Sequence, residues 1–98
     1  MIPVGVSVRF EARPDKVDEV EALLGALAAQ VELEESTTAW FGFRLGPTAF
    51  GVFHAFADAA GRDAHLAAAG EAMAAVAADL FTGPPVVDHV DIVATTSA

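Results

Sequence analysis

The side chains best suited to chemistry are concentrated in residues 36–66. This stretch holds the single Trp, five of the seven Phe and two of the three His of the 98-residue chain. A histidine accepts or donates a proton near neutral pH because its unperturbed pKa is about 6.5. An arginine can stabilise an oxyanion through its guanidinium, and a tryptophan can stack on a planar ligand while donating one hydrogen bond. Trp40, Arg44, His54 and His65 are therefore candidate catalytic residues that would act on an aromatic ligand.

Each of these residues also has a purely structural interpretation. Trp40 and His54 could be ordinary core residues whose polar atoms are satisfied by the protein. Arg44 could pair with an acidic residue such as Glu35 instead of binding a ligand. His89 flanks Asp88 on the last strand and is predicted to be exposed. The residue types alone leave these alternatives open.

The sequence predicts neither a metal site nor a bound cofactor. The three histidines are separated by 11 and 24 positions, which matches no ligand motif, and the chain contains no Cys. A glycine-rich phosphate loop and a nucleophile elbow are both missing from the sequence. The acidic run at residues 32–35 is predicted to be a solvated helix end.

Two segments rich in aromatic residues flank Gly46-Pro47 and predict a β-hairpin over residues 38–45 and 48–57. An even-numbered loop would place Trp40, Gly42 and Arg44 on one face together with Gly51 and Phe53. The two glycines would then lie opposite each other and leave a depression beside Trp40. The residues predicted to contact the substrate are Phe41, Phe43, Phe50, Phe53, Phe56 and Leu66.

The remaining patterns place this hairpin within one domain over residues 1–98. Alternating apolar residues predict strands at 2–11 and 87–93, and apolar steps of three and four predict two helices. The first helix begins at Pro14; the second begins after Asp58 and could break near Gly70. The order βαββαβ predicts an α+β, ferredoxin-like fold with a four-stranded antiparallel sheet and both helices on one face.

Composition indicates which partners such a domain could have. Hydrophobic residues make up 54% of the chain and charged residues 19%, so part of the apolar surface needs a second copy to cover it, which predicts a homodimer. The net charge of −9 disfavours nucleic acid and anionic membranes as partners. The sequence shows no signal peptide or transmembrane stretch, which predicts a cytoplasmic protein.

The order and spacing of several short motifs resemble the antibiotic biosynthesis monooxygenase family over nearly the whole chain. These motifs are Phe10-Glu11-Ala12-Arg13-Pro14, Glu35-Ser36-Thr37-Thr38-Ala39-Trp40, Phe43-Arg44, Phe50-Gly51-Val52-Phe53, Phe56-Ala57-Asp58, Ala64-His65-Leu66, Pro84-Pro85 and Val90-Asp91-Ile92-Val93.

The resemblance implies a dimeric α/β barrel with an apolar pocket between sheet and helices in each subunit. It also implies a cofactor-independent, oxygen-dependent monooxygenase acting on an aromatic or quinol-type molecule, in which the substrate anion supplies the electrons. Trp40 would steer the substrate, Arg44 would stabilise its oxyanion, and His54 or His65 would take the proton. Members commonly place an Asn beside the Trp, whereas this chain contains no Asn. The alternative is a non-catalytic, dimeric small-molecule-binding module of the same fold.

Overall fold

The computed structural model describes residues 4–34 and 37–96, and its elements follow the predicted order. The strands are β1 (Val4–Glu11), β2 (Thr37–Arg44), β3 (Ala49–Phe56) and β4 (Val86–Asp91), and the helices are α1 (Val17–Val31) and α2 (Ala59–Leu80). All strand pairs are antiparallel, and the strand order in the sheet is β2-β3-β1-β4. The predicted α+β, ferredoxin-like fold is therefore confirmed.

Helix α1 begins three residues later than the position of Pro14 predicts. Residues Pro14–Lys16 form a 3-10 turn, in which the fixed φ of proline fits well, and the α-helical hydrogen bonds begin at Val17. Val20 and Val31 are buried at the two ends of the apolar stripe, and the leucines between them are half-buried. This stripe packs α1 against the sheet.

Helix α2 begins as predicted, with the Asp58 carboxylate accepting a hydrogen bond of 2.7 Å from the backbone N–H of Gly61. The predicted break near Gly70 was wrong, because the helix continues through it to Leu80. Alanines surround Gly70 in the sequence, and their strong helix propensity offsets the cost of one glycine. All residues of α2 are described, and none of them is buried, so this helix packs loosely.

The hairpin has an odd register, which reverses the predicted division of its faces. Arg44 pairs with Phe50, and the five residues between them, 45–49, form an odd-numbered connection. An odd connection moves every side chain of β2 to the face opposite the one that an even loop gives it. The helix side of the hairpin carries Trp40, Gly42, Arg44, Phe50, Val52, His54 and Phe56, and the open side carries Phe41, Phe43, Gly51 and Phe53.

The predicted glycine depression was also wrong, because each glycine is covered by an aromatic ring on a different face. A Cβ placed on Gly51 would lie 2.5 Å from Cε2 of Phe43, its cross-strand partner. A Cβ placed on Gly42 would lie 3.1 Å from Cη2 of Trp40. The glycines therefore provide room for neighbouring rings rather than a binding cavity.

The densest part of the core lies between the sheet, the first half of α1 and the residue that follows α2. The Phe10 ring lies 4.7 Å from that of Phe81 and 6.2 Å from that of Phe50, measured between centroids. The end of α2 is fixed to this region by Arg13, whose guanidinium donates to the carbonyl of Ala78 at 2.9 and 3.2 Å. Of the helices in the described ranges, neither is long and apolar enough to cross a membrane.

Candidate functional site

A cleft of about 1160 Å³ lies between the helix side of the sheet and the two helices. Its walls are largely apolar because α1 contributes leucines and α2 contributes mainly alanines and Met73. The small side chains of α2 leave the space between helix and sheet unfilled, which agrees with the absence of buried residues in that helix. A cavity of this size with few polar groups is typical of a small-molecule site.

One cross-strand row on the floor of the cleft holds an aromatic residue and two histidines. Trp40 pairs with His54, His54 pairs with Val6, and Val6 pairs with His89. The register prediction had placed Trp40 and His54 on opposite faces, whereas the odd connection makes them direct neighbours. All four residues of this row line the cleft.

His54 is the buried polar residue of the row, with 2% of its surface exposed. Its ring stacks on Phe56 at a centroid distance of 4.1 Å and meets the edge of the His65 ring at 4.5 Å. Burial, reinforced by the neighbouring His65, lowers the pKa of His54 to about 4, although Glu34 acts in the opposite direction. His54 is therefore an uncharged imidazole at neutral pH.

His65 and Glu34 form the second polar contact at this end of the cleft. Nδ1 of His65, near the start of α2, lies 3.1 Å from Oε1 of Glu34. Glu34 is held in the turn after α1, where its backbone N–H donates to the carbonyl of Val31 at 2.9 Å. Their side chains are 19% and 34% exposed, so this contact is partly shielded from water. The carboxylate can fix the orientation of the ring.

Glu34 is the site residue that the sequence reasoning missed. The acidic run was predicted to be solvated, which holds for Glu32 but not for Glu34. The available signal was periodicity, since Glu34 follows Val31 by three positions and so continues the stripe of α1 that faces the sheet. His89, predicted to be exposed, is exposed and yet borders the cleft from β4.

Trp40 is half-buried, and its ring lies over Gly42 on the helix side of β2. Leu24 of α1 approaches the same position, since its Cδ1 is 3.6 Å from a Cβ built on Gly42. The indole therefore forms a flat wall of the cleft beside His54, where it can stack on a planar ligand.

Arg44 lies at the end of the hairpin, away from the two histidines. Its guanidinium is 3.3 Å from the carboxylate of Glu21 on α1, and its Cζ lies 5.1 Å from the centroid of the Phe50 ring. Both partners of the ion pair are about half exposed, which limits its stabilisation to at most about 1 kcal/mol. Arg44 thus pairs with a carboxylate other than the predicted Glu35, which lies outside the described residues.

The structure divides the predicted substrate contacts among three environments. Leu66 lines the cleft. Phe50 and Phe56 are buried beneath it, with exposures of 1% and 0%. Phe41, Phe43 and Phe53 lie on the open face of the sheet, on the side away from the helices. The described lining of the cleft includes further apolar residues that were not predicted, among them Leu23, Leu24, Leu27 and Met73.

Comparison with solved structures places this fold among known proteins. A protein of unknown function from Nitrosomonas europaea, NE2512, is 39% identical to the chain, with a TM-score of 0.89 over 98% of this chain and 94% of that one. A proposed antibiotic biosynthesis monooxygenase from Caulobacter crescentus is 25% identical, with a TM-score of 0.75 over 94% and 91% of the two chains. Another from Nitrosomonas europaea is 16% identical, with a TM-score of 0.84 over 98% and 95%.

These likenesses confirm the resemblance predicted from the sequence. The architecture is that of the structures described as antibiotic biosynthesis monooxygenases. The chain belongs to the family of the NE2512 protein, which shares that fold. No protein-family model matches the chain, and no curated protein matches it.

Proposed function

We propose that the chain is a homodimeric, cofactor-independent monooxygenase that oxidises an aromatic or quinol-type molecule in the cleft. The observation that carries this proposal is that Trp40 and the Glu34–His65 pair line the same largely apolar cavity. An apolar cavity excludes water, which strengthens polar interactions with a bound phenol. The fold shared with proposed monooxygenases agrees with this chemistry.

In the proposed reaction Trp40 stacks on the substrate ring, and the ring nitrogen of His65 not facing Glu34 accepts the proton of the substrate hydroxyl. The resulting anion supplies the electrons to molecular oxygen. For a quinol, one oxygen atom enters the ring to give a hydroxyquinone and the other leaves as water, so no external reductant is needed. His54 holds the His65 ring in place through their edge contact.

Dimerisation is supported by the open face of the sheet. Phe41 and Phe43 are 61% and 39% exposed there, and Val86 on the same face is 57% exposed. A second copy placed against this face would remove these side chains from water.

The proposed activity is tested by oxygen uptake of untagged, chelator-treated protein with a panel of hydroquinones and related phenols. We expect turnover with at least one compound and a loss of about 100-fold in kcat for His65→Gln, since a general base contributes 10²- to 10⁴-fold. Asp63→Asn, on the exposed side of the same helix, is the matched control. The absence of turnover with every compound, or equal turnover in His65→Gln, would contradict the proposal.

The position of Arg44 favours a second candidate, a non-catalytic module that binds an aromatic molecule in the same cleft. The cation predicted to stabilise an oxyanion is paired with Glu21 outside the polar cluster. This candidate predicts a ligand-induced rise in Tm that depends on Trp40 and is not accompanied by oxygen consumption.

A further inference from the structure

The three polar side chains at the closed end of the cleft also have the composition of a transition-metal site. Glu34, His54 and His65 each offer one ligand atom, and within the described part of the chain these atoms all lie within 4.8 Å of one another. They come from the turn after α1, from β3 and from α2, so the tertiary structure assembles a set that no sequence motif announces. We infer that Glu34, His54 and His65 bind one divalent transition-metal ion of the zinc or ferrous-iron type.

The spacing of the donors suits a single ion. Ligand atoms about 2.1 Å from a tetrahedral zinc ion are about 3.4 Å apart. Nδ1 of His65 and Oε1 of Glu34 already lie 3.1 Å apart, so the ion replaces the proton between them with little movement. The donor atom of His54 must come closer to the other two by about 1 Å. Small rotations of the partly exposed Glu34 and His65 side chains can supply this shift.

The chemistry of the donors selects the class of ion. Two imidazole nitrogens and one carboxylate oxygen suit zinc and ferrous iron, whereas magnesium and calcium prefer sites made of oxygen ligands. His54 contributes a ring that is already almost completely buried. The net charge of −9 raises the local concentration of cations around the protein.

Three protein ligands leave at least one coordination position free, as in catalytic rather than structural metal sites. All three ligands line the cleft, so the free position faces the space in which a substrate binds. His89 is not among the residues whose ligand atoms lie within 4.8 Å of one another, and β1 separates its strand from that of His54. The ion would occupy the Glu34–His65 pair that the proposed oxidation uses without a metal, so the two proposals describe different states of the same residues. Metal binding is measured without substrate and is therefore tested separately.

The test is calorimetric titration of untagged, chelator-treated protein with Zn²⁺ and with Mg²⁺, repeated with Co²⁺ by visible absorption. We expect one Zn²⁺ per chain, a rise in Tm on zinc addition and no comparable binding of Mg²⁺. Glu34→Gln and His65→Ala should each weaken zinc binding more than about tenfold. The matched controls are Glu32→Gln, an exposed carboxylate two positions away, and His89→Gln, the third histidine; both should bind zinc as the original chain does.

His65→Ala is preferred to a change at His54 because the His65 side chain is 19% exposed, whereas His54 is buried with 2% of its surface exposed. Circular dichroism of each variant confirms folding before the titration. Zinc affinity unchanged in both Glu34→Gln and His65→Ala, equal loss in the His89→Gln control, or no binding at 100-fold excess of zinc over protein would each overturn the inference. Oxygen uptake by the chelated protein is a separate measurement, so a failed metal site and a failed oxidation are distinguishable.

Discussion

The two faces of the sheet differ in how their aromatic residues are covered. On the helix side, Phe50 and Phe56 are almost completely buried, and the incomplete contact of α2 leaves the cleft above them. On the open side, Phe41 and Phe43 remain exposed. The same hairpin supplies both sets because successive side chains of a strand point to opposite faces. The difference indicates that stability within one chain comes from the helix side, and it leaves the open side for the proposed dimerisation.

A substitution in the helix-side core should give the largest loss of stability. Phe50→Ala removes a ring that is 1% exposed and leaves a void, so we expect the free energy of unfolding to fall by about 3–5 kcal/mol. Urea denaturation at matched protein concentration measures it. Leu33→Ala, at a side chain that is 84% exposed, is the control and should change stability by less than about 0.5 kcal/mol. A loss below about 1 kcal/mol for Phe50→Ala would show that this side is not the core.

The open face is tested by charge. The double substitution Phe41→Glu with Phe43→Glu should raise the dimer dissociation constant at least about 100-fold, equivalent to about 2.7 kcal/mol, because carboxylates would be buried without partners. Sedimentation should then show a species of 10.1 kDa, whereas the proposed dimer of the unmodified chain has twice that mass. Ala75→Glu, at an exposed position on α2, should leave the dimer intact. A dimer that tolerates the double substitution would place the interface elsewhere.

A substitution at Gly51, the glycine covered by Phe43, should give a smaller loss of stability. A methyl group on Gly51 would lie 2.5 Å from the Phe43 ring, so Gly51→Ala displaces that ring and should cost about 2 kcal/mol. Adding Phe43→Ala to Gly51→Ala should recover most of that loss, which a double-mutant cycle measures. The comparison is Gly42→Ala on the helix side, where the nearest Trp40 atom is 3.1 Å away and needs to move only slightly. Equal costs at the two glycines would contradict this difference between the faces.

Removal of the Asp58 cap of α2 should give the smallest loss of stability. Asp58→Ala removes the acceptor for the N–H of Gly61 and should lower stability by about 1 kcal/mol, seen as a modest decrease in Tm. Asp58→Asn retains a side-chain acceptor and should retain most of the stability. Because α2 has no buried residue to hold it, the loss should also increase hydrogen exchange along this helix. Unchanged exchange would indicate that the wall of the cleft is anchored elsewhere.

Much of the fold could be predicted from local patterns, and the site only in part. Alternation predicted the two outer strands in the sequence, aromatic content around a turn predicted the hairpin, and apolar steps of three and four predicted both helices. Asp58 was correctly identified as a cap. Trp40, His54, His65 and Leu66 were named from the sequence and do line one cleft. Arg44 was expected beside them, but the short connection after β2 directs it to Glu21 at the end of the hairpin.

The amino-acid sequence by itself determined the βαββαβ order, because hydrophobic periodicity and helix-capping residues act over only a few positions. The tertiary structure decided that the hairpin connection has an odd number of residues, which makes Trp40 and His54 neighbours. It also brought Glu34 into contact with His65. The physical reason is that a shift of one residue in strand pairing moves every side chain of the shifted strand to the opposite face of the sheet. The preference of each residue for the strand conformation changes little. The contact between Glu34 and His65 depends on how α2 packs against the rest of the domain. No short segment of the sequence encodes that packing.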